Sequence, residues 1–406
     1  MKLLSCSDLC CDTGFATVAR NVLSNLACTY GYDIHSIAIN ATGDPHPDQQ
    51  FASVYPAFVG GDYLGINRID ELVSRIDPDV IWLFNDIQVI ERWFDIPILE
   101  KYPVVVYFPI DSAGISPKFL RPLLRKNVTV VTYTEFAKRE IESALPELYV
   151  DVIGHGVDTS IFYPLEREER LALRHKYGIA DDWVIFLNVN RNQLRKNIPA
   201  TLRAFASVQD KLPEAKLYLH MVWNEGPPLG AGWDIYDLVR KFGLKGRVMA
   251  TTIGEDTDGK RILWNNAKYG IPVNMLADIY RVCDVFVNTT MGEGYSLTTL
   301  EAMACGLPVI ATDCSAISEI VKGRGLLASV KSYITMHYGT EFAIVDEYDV
   351  AKKMVKLVRD VQLRKDLGQM ALEWASQQTW GPIVDKWNEI FLRAKSAANA
   401  LSEKAA

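Results

Sequence analysis

Short β-branched apolar runs alternate with longer amphipathic stretches along the first part of the chain. Lys2–Ser5, Asp33–Ile39, Val80–Leu83, Val104–Phe108, Val128–Thr132 and Val150–Ile153 have the length and near-continuous apolar character of buried strands. Between them Ala16–Ala27, Asp70–Ile76 and Thr134–Leu145 carry helical periodicity, and the alternation predicts a doubly wound, mostly parallel α/β sheet. The pattern pauses at Gly154-His155-Gly156-Val157-Asp158-Thr159, where two glycines, then Pro164 and the charged run Glu166–Arg170, read as a linker. A second set follows, with strands predicted at Val184–Val189, Lys216–Met221, Arg247–Thr251, Val285–Asn288 and Pro308–Ala311. Its helices are predicted at Pro199–Lys211, Trp233–Phe242, Asn274–Arg281, Ser296–Ala304 and Val350–Val361. Trp380–Ala394 sets Trp380, Ile383, Trp387, Ile390 and Phe391 on one helix face, and the polar, alanine-rich Lys395–Ala406 is expected to fray.

The 406 residues are 49% hydrophobic and 23% charged, the balance of a folded chain long enough for two domains. With 43 basic and 50 acidic residues the net charge of −7 argues against nucleic acid gripped by the whole surface. The seven cysteines are odd in number and show no CxxC or Cys/His spacing, so reduced thiols, a cytoplasmic setting and no zinc are expected. No run approaches the ~18 apolar residues of a membrane span. The stretch 118–126, basic and apolar by turns, reads first as a packed helix with a solvated basic face. Its second reading is weak contact with an anionic membrane surface, which would make the protein peripheral. His35, His155 and His220 read as structural.

Open parallel sheets bind ligands beyond the carboxyl ends of their strands, so chemistry is expected on the loops that follow strands. In the first such loop, Asp12-Thr13-Gly14-Phe15-Ala16-Thr17, Gly14 permits close approach to a helix N-terminus that suits phosphate. It is not GxGxxG, so a dinucleotide site is poorly supported. A second loop, 190–197, carries Arg191 and Lys196 beside a helix start, where cations neutralise a diphosphate or simply face solvent. The third runs from Met291 to Pro308: Glu293, the glycines around it, Tyr295, Ser296 and Leu297 open a helix that holds Glu301 and that Gly306 stops. Backbone N–H groups at that helix start suit phosphate, and the two carboxylates suit sugar and ribose hydroxyls.

Glu293-x7-Glu301 followed by Ala-Met-Ala-Cys-Gly-Leu-Pro-Val-Ile-Ala-Thr resembles the signature of the family-4 retaining glycosyltransferases with the GT-B fold. The Arg191/Lys196 spacing, Gly156-Val157-Asp158-Thr159, Asp77-Pro78-Asp79-Val80 and Thr379-Trp380 are similar to further motifs of that family, in the same order. The resemblance implies two Rossmann-like domains facing each other across a cleft. The first, 1–160, would be acceptor-side and completed by a terminal helix at 380–396; the second, 166–376, would bind the nucleotide-sugar donor. It implies that Glu301 meets the donor ribose and Glu293 the sugar hydroxyls. Backbone groups at Gly294, Tyr295, Ser296 and Leu297 would hold sugar and diphosphate, Arg191 and Lys196 would stabilise the leaving diphosphate, and Gly14 would approach the phosphates. It implies retention at the anomeric carbon and no metal or other cofactor.

Two features depart from the family pattern. Where many relatives carry a first-domain His, this chain reads Tyr107-Phe108-Pro109-Ile110-Asp111-Ser112, and Asp111 is a candidate replacement or a turn-capping residue. The stretch 255–272 is longer than usual, and its Asp256-Thr257-Asp258 is discounted as a metal motif. The acceptor hydroxyl stays open among a glycan, a lipid-linked glycan, a protein and a modified nucleic-acid base. A non-catalytic nucleotide-sugar-binding protein and a GT-B epimerase or phosphorylase are the alternatives.

Overall fold

The computed structural model describes every residue except 42, 44–49, 59, 224–231, 252–270, 337 and 406, and for 399 and 401–405 the backbone alone. Most of the 255–272 stretch, with Asp256 and Asp258, lies outside the described residues. The chain divides into two compact units, one of Met1–Gly156, His337–Thr340 and Thr379–Ala406, the other of Val157–Met336 and Glu341–Gln378.

In the first unit the strands are β1 (Lys2–Asp8), β2 (Asp33–Ile39), β3 (Ser53–Pro56), β4 (Val80–Phe84), β5 (Val104–Phe108), β6 (Val128–Thr132) and β7 (Asp151–Val152). They form one parallel sheet in the order β3-β2-β1-β4-β5-β6-β7. Every residue of β4 and β5 is buried, because helices cover both faces of a parallel sheet. One cover is the C-terminal helix Trp380–Ala405. Its Trp387 lies 5.2 Å from Trp82 of β4 and 4.7 Å from Tyr107 of β5, ring centre to ring centre. Phe391 packs beside it, and burial of each such ring is worth about 1.5–3 kcal/mol. Tyr32 Oη donates to Asn388 Oδ1 at 2.7 Å. The tail expected to fray is helical as far as Ala405.

The glycine of the Gly-His-Gly motif has a steric reason. A Cβ on Gly156 would stand 2.8 Å from the Trp380 ring and from its backbone nitrogen. His155 is buried between the rings of Tyr107 and Tyr133, and burial pushes its pKa down to about 3, so it is a neutral packing residue. The 118–126 stretch forms two short helical turns that bury Phe119, Leu120 and Leu123 and expose Lys118, Arg121 and Lys126. No helix among the described residues is long and apolar enough to cross a membrane.

In the second unit β8 (Val184–Val189), β9 (Ala215–His220), β10 (Val248–Ala250), β11 (Val285–Asn288), β12 (Val309–Thr312) and β13 (Leu326–Ala328) build a parallel sheet in the order β10-β9-β8-β11-β12-β13. A separate two-stranded antiparallel hairpin of β14 (Val330–Thr335) and β15 (Glu341–Val345) accompanies it, which the sequence pattern did not announce.

A second correction concerns the charged run read as linker. It opens the helix Arg167–Lys176. Arg174, only 1% exposed, pairs with Asp284 at 3.2 Å and donates to the carbonyls of Ala180 and Trp183. Arg170 meets the other oxygen of Asp284 at 2.8 Å. The run is charged because it anchors a helix to the start of β11.

Candidate functional site

The strand order reverses direction between β8 and β11, which are neighbours in the sheet although distant in sequence. Such a switch point opens a crevice beyond the carboxyl ends of the two strands. The loops leaving them are 190–197 and 289–296, so topology alone brings the two motif-bearing loops together. Asparagines at the strand ends tie them down. Asn188 Nδ2 donates to Thr201 Oγ1 at 3.2 Å, and Asn288 Nδ2 donates to Ser296 Oγ at 3.2 Å. The loops also bond directly, Met291 N to Arg195 O at 2.8 Å and Thr289 Oγ1 to Asn197 O at 3.0 Å.

Glu293 sits at the centre, 4% exposed. Lys196 Nζ donates to its Oε1, and Arg195 Nη1 donates to its Oε2 at 3.0 Å and to the Gly292 carbonyl. Its backbone N–H donates to Ser315 Oγ at 2.9 Å. Burial by itself raises the pKa of a carboxyl here, but Lys196 and then Arg195 outweigh it and hold Glu293 down at about 2. Glu293 is therefore an anion at every physiological pH and neither gives nor takes a proton. Two cations around one carboxylate leave the cluster with an excess positive charge.

Ser296 stands directly before the helix Leu297–Ala304 with φ 85°, a left-handed conformation that costs a non-glycine residue about 1–3 kcal/mol. Its hydroxyl is engaged with Asn288 and with Thr299 Oγ1, 2.8 Å away, and does not cap the helix. The helix start is thus held in place from the side, with no side-chain cap, a geometry that favours an anion. Gly306, φ 76°, ends the helix, its N–H bonded to Met303 O at 2.9 Å.

Glu301 lies further along the same helix. Tyr280 Oη donates to its Oε2 at 2.8 Å. Burial pushes the carboxyl up to about 7, against the pull of the tyrosine hydrogen bond.

The structure therefore gathers Lys196, Glu293, Gly294, Tyr295, Ser296, Leu297 and Glu301 into one loop-and-helix cluster of the second unit. Arg191 belongs to the same loop as Lys196 and is exposed. Arg195, to which sequence reasoning gave no role, is the second cation on Glu293; its only sequence signal is a basic residue next to Lys196, which reads equally as a solvated turn. Gly14 and Asp111 lie in the first unit. Gly14 begins the helix Gly14–Tyr30, capped by Thr13, whose hydroxyl donates to Asp8 Oδ2 at 2.7 Å while its oxygen accepts from Ala16 N. Asp111 follows β5 and is half-buried. Burial first, then the neighbouring Tyr107, Asp86 and Asp111, keeps the buried phenol of Tyr133 protonated. Among the described residues no group of three or more His, Cys, Asp or Glu is placed to hold a metal ion.

Residues 253–360 match the family model of the glycosyl transferases group 1. The D-inositol 3-phosphate glycosyltransferase of Stackebrandtia nassauensis is 29% identical over 240 residues, 58% of this chain and 47% of that protein. The chain spans about half the length of the curated relatives it matches. Among solved structures, the sucrose-phosphate synthase of Thermosynechococcus elongatus superposes with a TM-score of 0.75 at 17% identity, over 98% of this chain and 100% of that one. Anabaena HepE, solved in complex with UDP-glucose, does so with a TM-score of 0.69 at 17% identity, over 97% of this chain and 100% of that one. The chain thus holds a domain that matches the glycosyl transferases group 1, and its fold is that of the GT-B structures it superposes on.

Proposed function

We propose that the protein is a retaining glycosyltransferase that moves a sugar from a nucleoside-diphosphate sugar to a hydroxyl acceptor without a metal ion. The observation that carries this reading is the buried Glu293 between Lys196 and Arg195, beside an uncapped helix start. Cleaving the bond between the anomeric carbon and the diphosphate puts negative charge on the leaving phosphate and positive charge on the sugar ring. Lys196, Arg191 and the N–H groups of the Gly294–Leu297 turn are the right kind of groups for the first charge. Glu293, permanently ionised, suits the second charge and accepts from sugar hydroxyls. Glu301 accepts from the ribose. HepE holds UDP-glucose and the Stackebrandtia relative is named for an inositol phosphate acceptor, which supports a nucleotide-sugar donor and a hydroxyl acceptor here.

Thermal unfolding with UDP, GDP, ADP and TDP and their glucose conjugates, each measured with and without EDTA, tests the donor half of the reading. One nucleotide is expected to raise the melting temperature through binding to the folded state. No rise with any of them overturns the reading; a rise that EDTA abolishes overturns metal independence.

A further inference from the structure

Tyr280 is fully buried near the end of the helix Val273–Val282, its ring 5.9 Å from that of Phe162 and 6.1 Å from that of Phe286. The only polar atom of its side chain is spent on Glu301 Oε2, at 2.8 Å. The groups facing that carboxyl are few. Among the described residues they are Tyr280 from the preceding helix and Cys305 just past Glu301's own helix, while Cys283 stands by Tyr280. The nearby Arg281 is committed to Asp278, to Ile161 O and to Tyr163 O. Both thiols are held protonated by burial. Tyr280 is itself held protonated, by burial and then by the Glu301 charge, so it is a donor at every accessible pH.

We propose that Tyr280 is the positioning residue for Glu301: its hydroxyl holds Oε2 of the carboxylate in one orientation, so that the group is set to accept from a ribose diol. The proposal rests on the reading of Glu301 as the ribose contact. A carboxylate accepts hydrogen bonds from both ribose hydroxyls, whereas a protonated carboxyl must donate one itself. Binding that depends on the ribose should therefore strengthen as pH rises through the titration of Glu301. Without the tyrosine donor, burial acts on Glu301 unopposed and that rise moves to higher pH.

The test compares the tightest-binding ribonucleoside diphosphate with its 2′-deoxy counterpart by calorimetry across neutral pH. Their ratio cancels the titration of the phosphate itself. In the wild type the ratio is expected to grow with a midpoint near Glu301's pKa of about 7. In Tyr280→Phe, which keeps the ring in place, the midpoint moves up by about one pH unit and the ratio at neutral pH falls about fivefold, with deoxynucleotide affinity unchanged. A ratio that follows the same pH curve in both proteins overturns the proposal. If the Phe variant does not fold, 3-fluorotyrosine at position 280, a stronger donor, should move the midpoint down, and no movement overturns it. Glu301→Gln separates the two layers. A ratio unchanged from wild type in that variant means that Glu301 does not meet the ribose, which fails the donor reading itself.

Discussion

Replacing Glu293 by Gln preserves the shape of the side chain and removes its charge, leaving Lys196 and Arg195 facing each other with no anion between them. The wild-type carboxyl titrates at about 2 in the folded protein against an ordinary 4.5. At about 1.4 kcal/mol for each tenfold change in proton affinity, that difference is worth about 3 kcal/mol of stability. The figure agrees with the roughly 3–5 kcal/mol lost when one partner of a buried pair is removed. The sign follows from the depressed pKa. The contribution is fully present above pH 4.5 and is lost as pH falls toward about 2. Glu293→Gln is therefore expected to unfold at lower urea concentration than wild type near neutral pH, and the gap should close as both proteins are acidified below about pH 4. Because the chain has two units, midpoints of each unfolding phase are compared. Equal midpoints at neutral pH, or a deficit that persists unchanged into acid, would refute the reasoning that the carboxylate is held down by its two cations.

Two further variants probe the framework that carries the site. Asp284→Ala strands the buried Arg174 guanidinium and should cost about 3–5 kcal/mol in urea unfolding; a loss under about 1 kcal/mol would make the pair a surface ornament. Gly156→Ala puts a methyl 2.8 Å from the Trp380 ring and should cost about 1–3 kcal/mol, with a changed near-ultraviolet circular dichroism as the tryptophan is displaced; an unchanged spectrum and midpoint would refute the close approach.

The parts of the fold that were legible along the chain are those whose signal is local. The β-branched runs of β4, β5 and β8 are buried on both faces and read as strands without any knowledge of their neighbours. The apolar face of the terminal helix was equally plain, although its extension to Ala405 was not, because an alanine-rich polar stretch reads the same frayed or helical. Arg170 passed for linker charge, and Arg174 drew no reading, because their partner, Asp284, is far along the chain. The β14–β15 hairpin was missed because nearly all of β14 is exposed, which leaves no apolar alternation to find.

By itself, then, the sequence determined that buried strands and helices alternate as α/β, and which glycine-bracketed loop carries two carboxylates. These follow from side-chain periodicity and turn chemistry, which act over a few residues. Only the tertiary structure decided which cations meet Glu293, because that depends on β8 and β11 becoming neighbours at the switch point of the sheet. It also decided that Glu301 meets Tyr280, and so why two carboxyls on one loop and helix are driven in opposite directions, one to about 2 and the other to about 7. Burial opposes the charge of both; what separates them is a pair of cations around one and a single neutral hydroxyl on the other.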